Sequence, residues 1–100
     1  MDRKIYLNIL YDCYKDLFTE KQQMYFENYY YEDLSLNEIA DNNDVSKTLV
    51  SKSINVIVNK IKKYEEKLKI NYKEKKLKEI KDKTKDDNVK KVIEEILYKD

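Results

Sequence analysis

The side chains that usually carry enzyme chemistry are scarce in this chain. It has no histidine, the commonest general base and metal ligand, and one cysteine among 100 residues. Cys13 lies in an apolar helical pattern, where a buried and unreactive thiol is the ordinary interpretation. The acidic pairs Glu65–Glu66 and Asp86–Asp87 are adjacent in sequence and diverge on a helix, and a chain without glycine cannot form a glycine-rich phosphate loop. The sequence therefore predicts no catalytic residues, no metal ligands and no cofactor, and we do not expect an enzyme.

Lysine, hydroxyl and amide side chains recur instead on one short stretch near the middle of the chain. Lysine ammonium groups neutralise phosphates, while hydroxyl and amide groups hydrogen-bond to phosphates and to base edges. On a helix these side chains would point outward, because Val50 and Ile54 between them would point into the core. The predicted nucleic-acid-binding residues are Ser46, Lys47, Thr48, Ser51, Lys52 and Asn55.

Two short helices joined by a tight turn are predicted to position this face. Ser35 and Glu38 form a capping box that starts the first helix at Leu36. The polar run of residues 41–44 ends that helix, and Ser46 can cap a second helix beginning at Lys47. This is the helix-turn-helix pattern, whose second helix usually lies in the DNA major groove.

The turn departs from the usual pattern at two positions. Asp44 stands where glycine is common, and Asn43 stands where an apolar residue is common. Because aspartate tolerates the left-handed conformation better than most residues, we expect the turn to persist with Asp44 at positive φ. Its carboxylate also adds repulsion near a phosphate backbone, so the pattern predicts the fold more directly than it predicts DNA contact.

Capping residues and apolar spacing predict two helices before this unit. The first is expected over Lys4–Leu17, and the second, opened by a capping box of Thr19 and Gln22, runs to about Tyr31. The tyrosines are expected to fill the core rather than to stack on bases, because a small domain without tryptophan needs large aromatic side chains. The expected inward residues are Ile5, Ile9, Leu10, Cys13 and Leu17 on the first helix, and Gln22, Tyr25 or Phe26, Tyr29 and Tyr30 on the second.

The helix that begins at Lys47 is predicted to be long. Its apolar residues follow a 4-3-4-3-4 spacing to Leu68, which predicts a helix of roughly 33 Å. This seam could pack on the first two helices of the same chain, the interpretation we prefer, or on a second copy, so a homodimer stays open. The seam consists of Val50, Ile54, Ile57, Ile61, Tyr64 and Leu68.

Two more helices are predicted after residue 70. A weak stripe of Tyr72, Leu77 and Ile80 predicts a lysine-rich helix over Tyr72–Lys83, followed by a polar connection to Asn88. The last stripe has strong i, i+3, i+4, i+7, i+8 spacing and must be covered by the back of the helix-turn-helix or by another molecule. Its members are Val89, Val92, Ile93, Ile96 and Leu97.

Length and charge limit the number of domains and the kinds of partner that the chain can have. Residues 1–100 are predicted to form a single all-α domain, with a helix-turn-helix core at 19–68 and a helical extension at 70–100. Residues 19–45 hold one lysine against seven acids, a balance of −6, and residues 46–69 hold seven lysines against two acids, a balance of +5. This asymmetry indicates a polyanion partner or charge pairing inside the fold.

The same features bear on location. A single cysteine excludes an intramolecular disulfide, and the sequence shows neither a signal-peptide pattern nor an apolar run of membrane-spanning length. We therefore expect a cytoplasmic protein without membrane insertion.

Residues 19–68 resemble the small YlxM-type helix-turn-helix proteins of low-GC Gram-positive bacteria and mycoplasmas. The resemblance implies a fold similar to region 4 of bacterial sigma factors and a regulatory or accessory role in the signal recognition particle pathway. Lys47 stands where that family commonly has arginine, and lysine binds phosphate without the bidentate fork that reads guanine. The residues that carry the resemblance are Thr19 to Gln22, Tyr29–Tyr30, Asp33 to Ala40, Val45–Ser46 and Tyr64 to Leu68.

The sequence is compatible with two functions. One is a regulator that binds DNA or RNA weakly through the second helix of the helix-turn-helix. The other, implied by the resemblance, is a non-catalytic adaptor that binds the GTPase of the signal recognition particle and uses the helix-turn-helix only as a scaffold.

Overall fold

The computed structural model describes residues 3–98 and contains six α-helices and no strand over that range. This confirms the predicted all-α fold, with one long helix after the turn and two helices at the C-terminal end. A short 3-10 turn, Lys15–Leu17, follows the first helix. The helices are α1 (Arg3–Tyr14), α2 (Glu20–Tyr30), α3 (Leu36–Asn43), α4 (Lys47–Leu68), α5 (Ile70–Lys83) and α6 (Asp87–Tyr98).

Side-chain caps set the starts of α2, α3 and α4, as the sequence predicts. Thr19 and Gln22 exchange hydrogen bonds in a capping box before α2, with N···O distances of 2.9 and 3.2 Å. Ser35 and Glu38 do the same before α3, both at 3.1 Å. The Ser46 hydroxyl accepts a hydrogen bond from the N–H of Leu49 at 3.0 Å and caps α4. Each cap satisfies amide groups that the first helical turn leaves free.

The seam of α4 forms the centre of the core. Val50, Ile54, Ile57 and Ile61 are all buried, and they pack against α1, α2 and α3 of the same chain. Tyr64 is half-buried at the edge of this core, and Leu68 is exposed at the end of the helix. One face of this long helix therefore lies in the core along most of its length.

The inward face predicted for α1 is wrong. Of its five predicted residues only Leu10 is buried, while Ile5 and Leu17 are more than half exposed. The predicted end at Leu17 is also late, because the α-helix stops at Tyr14 and continues as the 3-10 turn. Ile9 is exposed as well, and Cys13 is only half-buried.

Two leucines and two tyrosines define the buried side of α1. Leu7, Leu10, Tyr11 and Tyr14 have i, i+3, i+4, i+7 spacing and are all buried. The ring of Tyr11 stacks on that of Phe26 in α2, with centroids 4.0 Å apart. Turning the two large rings inward buries more apolar surface than turning Ile5 and Ile9 inward would, and this decides the rotation of the helix.

The inward face predicted for α2 is right in part. Tyr25 and Phe26 are both buried, and Gln22 and Tyr30 are half-buried. Tyr29 lies at the exposed edge, where its ring contacts the ring of Tyr30 at 5.0 Å. Most of these aromatic rings therefore pack in or beside the core.

A carboxylate from α4 organises the start of α5. The backbone turns sharply at Lys69, which has φ 54° and offers no side-chain cap, and α5 begins at Ile70, two residues before the predicted start. Glu65 accepts hydrogen bonds from the N–H groups of Asn71 and Tyr72, both at 3.1 Å. The Tyr14 hydroxyl donates to Glu65 Oε1 at 2.6 Å and accepts from the Ile70 N–H at 3.1 Å. One carboxylate and one phenol thus join α1, α4 and α5.

The two C-terminal helices form an antiparallel hairpin that only partly joins the core. α5 contacts α1 and α4, whereas α6 packs chiefly on α5. Ile93 is buried in this hairpin, and Lys81 of α5 lies 3.5 Å from Glu94 of α6. The back of the helix-turn-helix therefore does not cover the last apolar stripe, and the described residues extend over 55 × 26 × 23 Å.

Membrane insertion has no structural candidate among the described residues. None of the helices in residues 3–98 combines the length and the apolar character needed to cross a bilayer.

Candidate nucleic-acid interface

The turn between α3 and α4 is built without glycine. Asp44 has φ 53° and ψ 45°, the left-handed conformation that the sequence predicts for it. The Val45 N–H donates to the carbonyl of Ala40 at 3.1 Å and closes the turn. Asn43 occupies its unusual position by donating from its side-chain amide to the carbonyl of Ile39 at 2.8 Å. This local bond satisfies a polar group that would otherwise face the apolar side of the turn.

Close packing of α3 on α4 fixes the orientation of the second helix. Ile39 and Ala40 on α3 and Val50 on α4 are all buried. The small side chain of Ala40 leaves room for the two helices to approach each other. Since this side of α4 is held in the core, the opposite side must face outward.

The structure places the predicted site residues together along the first turns of α4. Lys47, Thr48, Lys52 and Asn55 are exposed, and Ser51 is half-buried. Ser46 is exposed, and its hydroxyl oxygen is used in capping the helix. We call this set, residues Ser46, Lys47, Thr48, Ser51, Lys52 and Asn55, the outer face of α4.

The ion pairs of residues 3–98 leave the lysines of this face exposed as free charges. Over residues 3–98 the ion pairs join Lys4 to Asp33, Lys76 to Glu79 and Lys81 to Glu94. None of them involves Lys47 or Lys52, and none joins the acidic segment 19–45 to the basic segment 46–69. The two lysines therefore carry positive charge at the surface without a carboxylate partner in the described part of the chain.

An apolar groove beside the outer face was missed by the sequence analysis. Leu49 and Val56 are 43% and 45% exposed. With Gln22 of α2 and Lys52 and Ser53 of α4 they line an open groove of about 470 Å³. Leu49 and Val56 are seven residues apart, and this spacing beside the core seam is the signal that could have revealed a second apolar line.

Cys13 lies half-buried on α1, near acidic residues of α4 and α5. Burial, with the nearby carboxylates of Glu74 and Glu65 as further causes, raises the pKa of the Cys13 thiol to about 11. The reactive thiolate is therefore scarce near neutral pH. Over residues 3–98 no group of three or more cysteine or acidic side chains is arranged to hold a metal ion.

Comparison with known proteins gives a match that covers nearly the whole chain. The model of the family UPF0122, described as "Putative helix-turn-helix protein, YlxM / p13 like", matches residues 1–99. A UPF0122 protein of Ureaplasma urealyticum serovar 10 is 37% identical over 95 residues, which are 95% of this chain and 96% of the relative.

Two further relatives come from other genera. A UPF0122 protein of Malacoplasma penetrans is 42% identical over 83 residues, covering 83% of this chain and 78% of the relative. A UPF0122 protein of Shouchella clausii is 43% identical over 70 residues, covering 70% of this chain and 64% of the relative.

Proposed function

Because this chain belongs to the UPF0122 family of YlxM/p13-like helix-turn-helix proteins, we propose that it is a regulatory protein that binds nucleic acid through the outer face of α4. By resemblance we place this activity in the signal recognition particle pathway. The observation that carries the proposal is that Lys47 and Lys52 are exposed on α4 and form no ion pair within residues 3–98.

The start of α4 adds to the attraction for phosphate. The positive end of the helix dipole lies there, and the first turn contains no acidic residue. Lys47 stands in that turn, and Lys52 is exposed five residues later, about 140° around the helix. Two lysines and a helix end neutralise few phosphates, so we expect weak binding that decreases with salt, with a slope of log K against log salt of about −2.

Any selectivity among bases would depend on the polar residues of the outer face. Thr48 and Asn55 are exposed, and asparagine is the side chain that pairs with adenine in two hydrogen bonds. Ser51 is half-buried, so its hydroxyl is less accessible to a base than the side chains of Thr48 and Asn55. Lysine contributes charge without the planar fork that reads guanine, which favours contact with the phosphate backbone over sequence reading.

Titration at low salt with duplex DNA and with the RNA of the signal recognition particle tests this proposal. The double variant Lys47→Glu with Lys52→Glu should abolish binding, because it replaces two phosphate contacts by repulsion. Lys60→Glu with Lys63→Glu is the matched control, since it makes the same change in charge at exposed positions farther along the same helix. Lys47→Gln with Lys52→Gln should keep measurable binding and lower the slope of log K against log salt by about 2, at about 0.9 per phosphate contact.

Three results would contradict the proposal. They are the absence of binding to either nucleic acid, equal binding by wild type and the Lys47/Lys52 charge reversal, and an equal loss in the control variant. Circular dichroism of each variant shows whether the helices are retained.

The apolar groove favours a second candidate, the adaptor function. Leu49 and Val56 expose apolar surface beside the outer face, which suits a protein partner better than a phosphate backbone. In this alternative the GTPase of the signal recognition particle binds at the groove with little dependence on salt. Val56→Ser should then weaken binding of the purified GTPase while leaving any binding of nucleic acid in place, because it adds no charge beside Lys52.

A further inference from the structure

The last helix leaves most of its apolar stripe uncovered. Val89, Val92 and Ile96 are 37%, 53% and 60% exposed, and Ile93 is the buried residue of the stripe. Their i, i+3, i+7 spacing aligns the three exposed side chains along one side of α6. A continuous apolar line of this kind on a small protein indicates a surface that is covered by something else.

The sequence of this stripe has an internal symmetry. Read from either end, residues 89–96 (VKKVIEEI) give the same order of apolar and charged positions, with opposite charge at each charged position. A two-fold axis between Val92 and Ile93 would place Lys90 and Lys91 of one helix alongside Glu95 and Glu94 of an antiparallel copy. Isologous interfaces have this property, because the same patch must be complementary to itself.

The charged residues of α6 are separated by sign along the helix. Lys90 and Lys91 lie in its N-terminal half, after Asp87 of the first turn, and Glu94 and Glu95 lie in its C-terminal half. An antiparallel neighbour of the same sequence would therefore place its carboxylates beside these lysines. α5 already fills this role on one side, where Lys81 lies 3.5 Å from Glu94.

The side of α6 away from α5 has charged groups that remain available. Lys91 and Glu95 are both exposed, and neither forms an ion pair within residues 3–98. At 100° per residue they lie about 40° apart on the flank that adjoins Val92. Their intrahelical spacing, with lysine before glutamate, is the weaker orientation of an i, i+4 pair.

We propose that α6 of a second copy of this chain covers the stripe, packed antiparallel about a two-fold axis between Val92 and Ile93. In this arrangement Lys91 lies beside Glu95 of the partner copy, with an offset along the helix axis of about 1.5 Å, and the pair occurs twice. A parallel arrangement would instead place Lys91 beside its own copy. The outer face of α4 takes no part in the contact, so the dimer presents two such faces.

The mass in solution tests the interface, and it does so independently of any binding to nucleic acid. Sedimentation of the full chain from about 1 to about 200 µM should show a concentration-dependent dimer. Val92→Asp should raise the dissociation constant at least tenfold, because it places a carboxylate in the apolar contact. Val56→Asp is the matched control, an exposed valine of similar accessibility on α4, and should leave the dissociation constant unchanged.

Charge exchange tests the antiparallel arrangement. Lys91→Glu and Glu95→Lys should each weaken the dimer several-fold, because each places like charges together twice. The double variant Lys91→Glu with Glu95→Lys should restore the wild-type dissociation constant.

The proposal is overturned by a wild type that stays monomeric at about 200 µM or by a dimer that Val92→Asp leaves intact. Failure of the double exchange to restore association overturns it as well. A monomeric wild type that binds the pathway's GTPase through the stripe, with loss of binding in Val92→Asp, would assign the stripe to that protein.

Discussion

Replacing Glu65 tests whether one carboxylate holds the α4–α5 junction. Its oxygens accept hydrogen bonds from the Tyr14 hydroxyl at 2.6 Å and from the N–H groups of Asn71 and Tyr72 at 3.1 Å. Glu65→Ala removes all three bonds and leaves the N–H groups of Asn71 and Tyr72 without an acceptor, because Lys69 supplies no side-chain cap. We expect the junction to loosen and the free energy of unfolding to fall.

The magnitude follows from the number and kind of these bonds. A hydrogen bond to a charged group contributes about 1.5–3 kcal/mol, and solvent that reaches the half-buried Glu65 lowers the sum. We therefore expect Glu65→Ala to lower the free energy of unfolding by about 2–4 kcal/mol and Glu65→Gln by about 1–2 kcal/mol. Tyr14→Phe should cost about 1–3 kcal/mol, because the Ile70 N–H then loses its acceptor.

Urea denaturation followed by far-ultraviolet circular dichroism measures these changes. Glu66→Gln is the matched control, since the adjacent carboxylate is exposed and its replacement should change stability by less than about 0.5 kcal/mol. A double-mutant cycle of Tyr14→Phe with Glu65→Gln should give a coupling energy of about 1 kcal/mol. Additive effects of the two substitutions, or equal effects of Glu65→Gln and Glu66→Gln, would refute the reasoning.

Three other predictions concern Asp44 in the turn, Tyr14 and Cys13. Asp44→Gly should stabilise the protein by about 0.5–1 kcal/mol, since Asp44 has φ 53°, and an unchanged urea midpoint would contradict this. Burial and the hydrogen bond to Glu65 raise the pKa of Tyr14 from 10.0 to about 12. The folded state therefore favours the neutral phenol of Tyr14. The stability that this preference contributes is complete below pH 10 and is lost as the pH rises toward 12. Tyr14→Phe should therefore reduce the loss of stability at alkaline pH in denaturation curves. The pKa of Cys13, raised from 9.0 to about 11, should lower its reaction rate with a thiol reagent at pH 8 about tenfold relative to the urea-unfolded chain, and equal rates would contradict this.

The helix starts could be predicted because their signals are local. Thr19, Ser35 and Ser46 each accept a bond from an amide three residues later, and a cap of this kind can be read from four residues of sequence. The apolar seam of α4 could also be predicted, because the spacing of its apolar residues repeats over several turns of one long helix. Lys52 lies off that seam and Lys47 stands at the first position of the helix, and both are exposed.

Other features depend on residues that are distant in the chain. The start of α5 is set by Tyr14 and Glu65, and the Tyr14 hydroxyl bonds to an amide 56 positions away. Two apolar patterns are present within α1, and the stacking of Tyr11 against Phe26 decides which of them is buried. The groove at Leu49 and Val56 exists because α2 lies beside α4 there. Such tertiary contacts override the structure that the local sequence pattern predicts.

The weak attachment of α6 has a consequence for how the molecule opens. Ile93 is the buried residue of the last two helices, and it lies outside the main core cluster, to which Ile57 of α4 belongs. Amide hydrogens of α6 should therefore exchange with solvent through local unfolding that costs less free energy than global unfolding. Those around Ile57 should exchange only when the whole core opens. Exchange rates along the chain would thus divide the molecule into a slowly exchanging core of four helices and a C-terminal arm that opens separately, with α6 protected when a partner covers it.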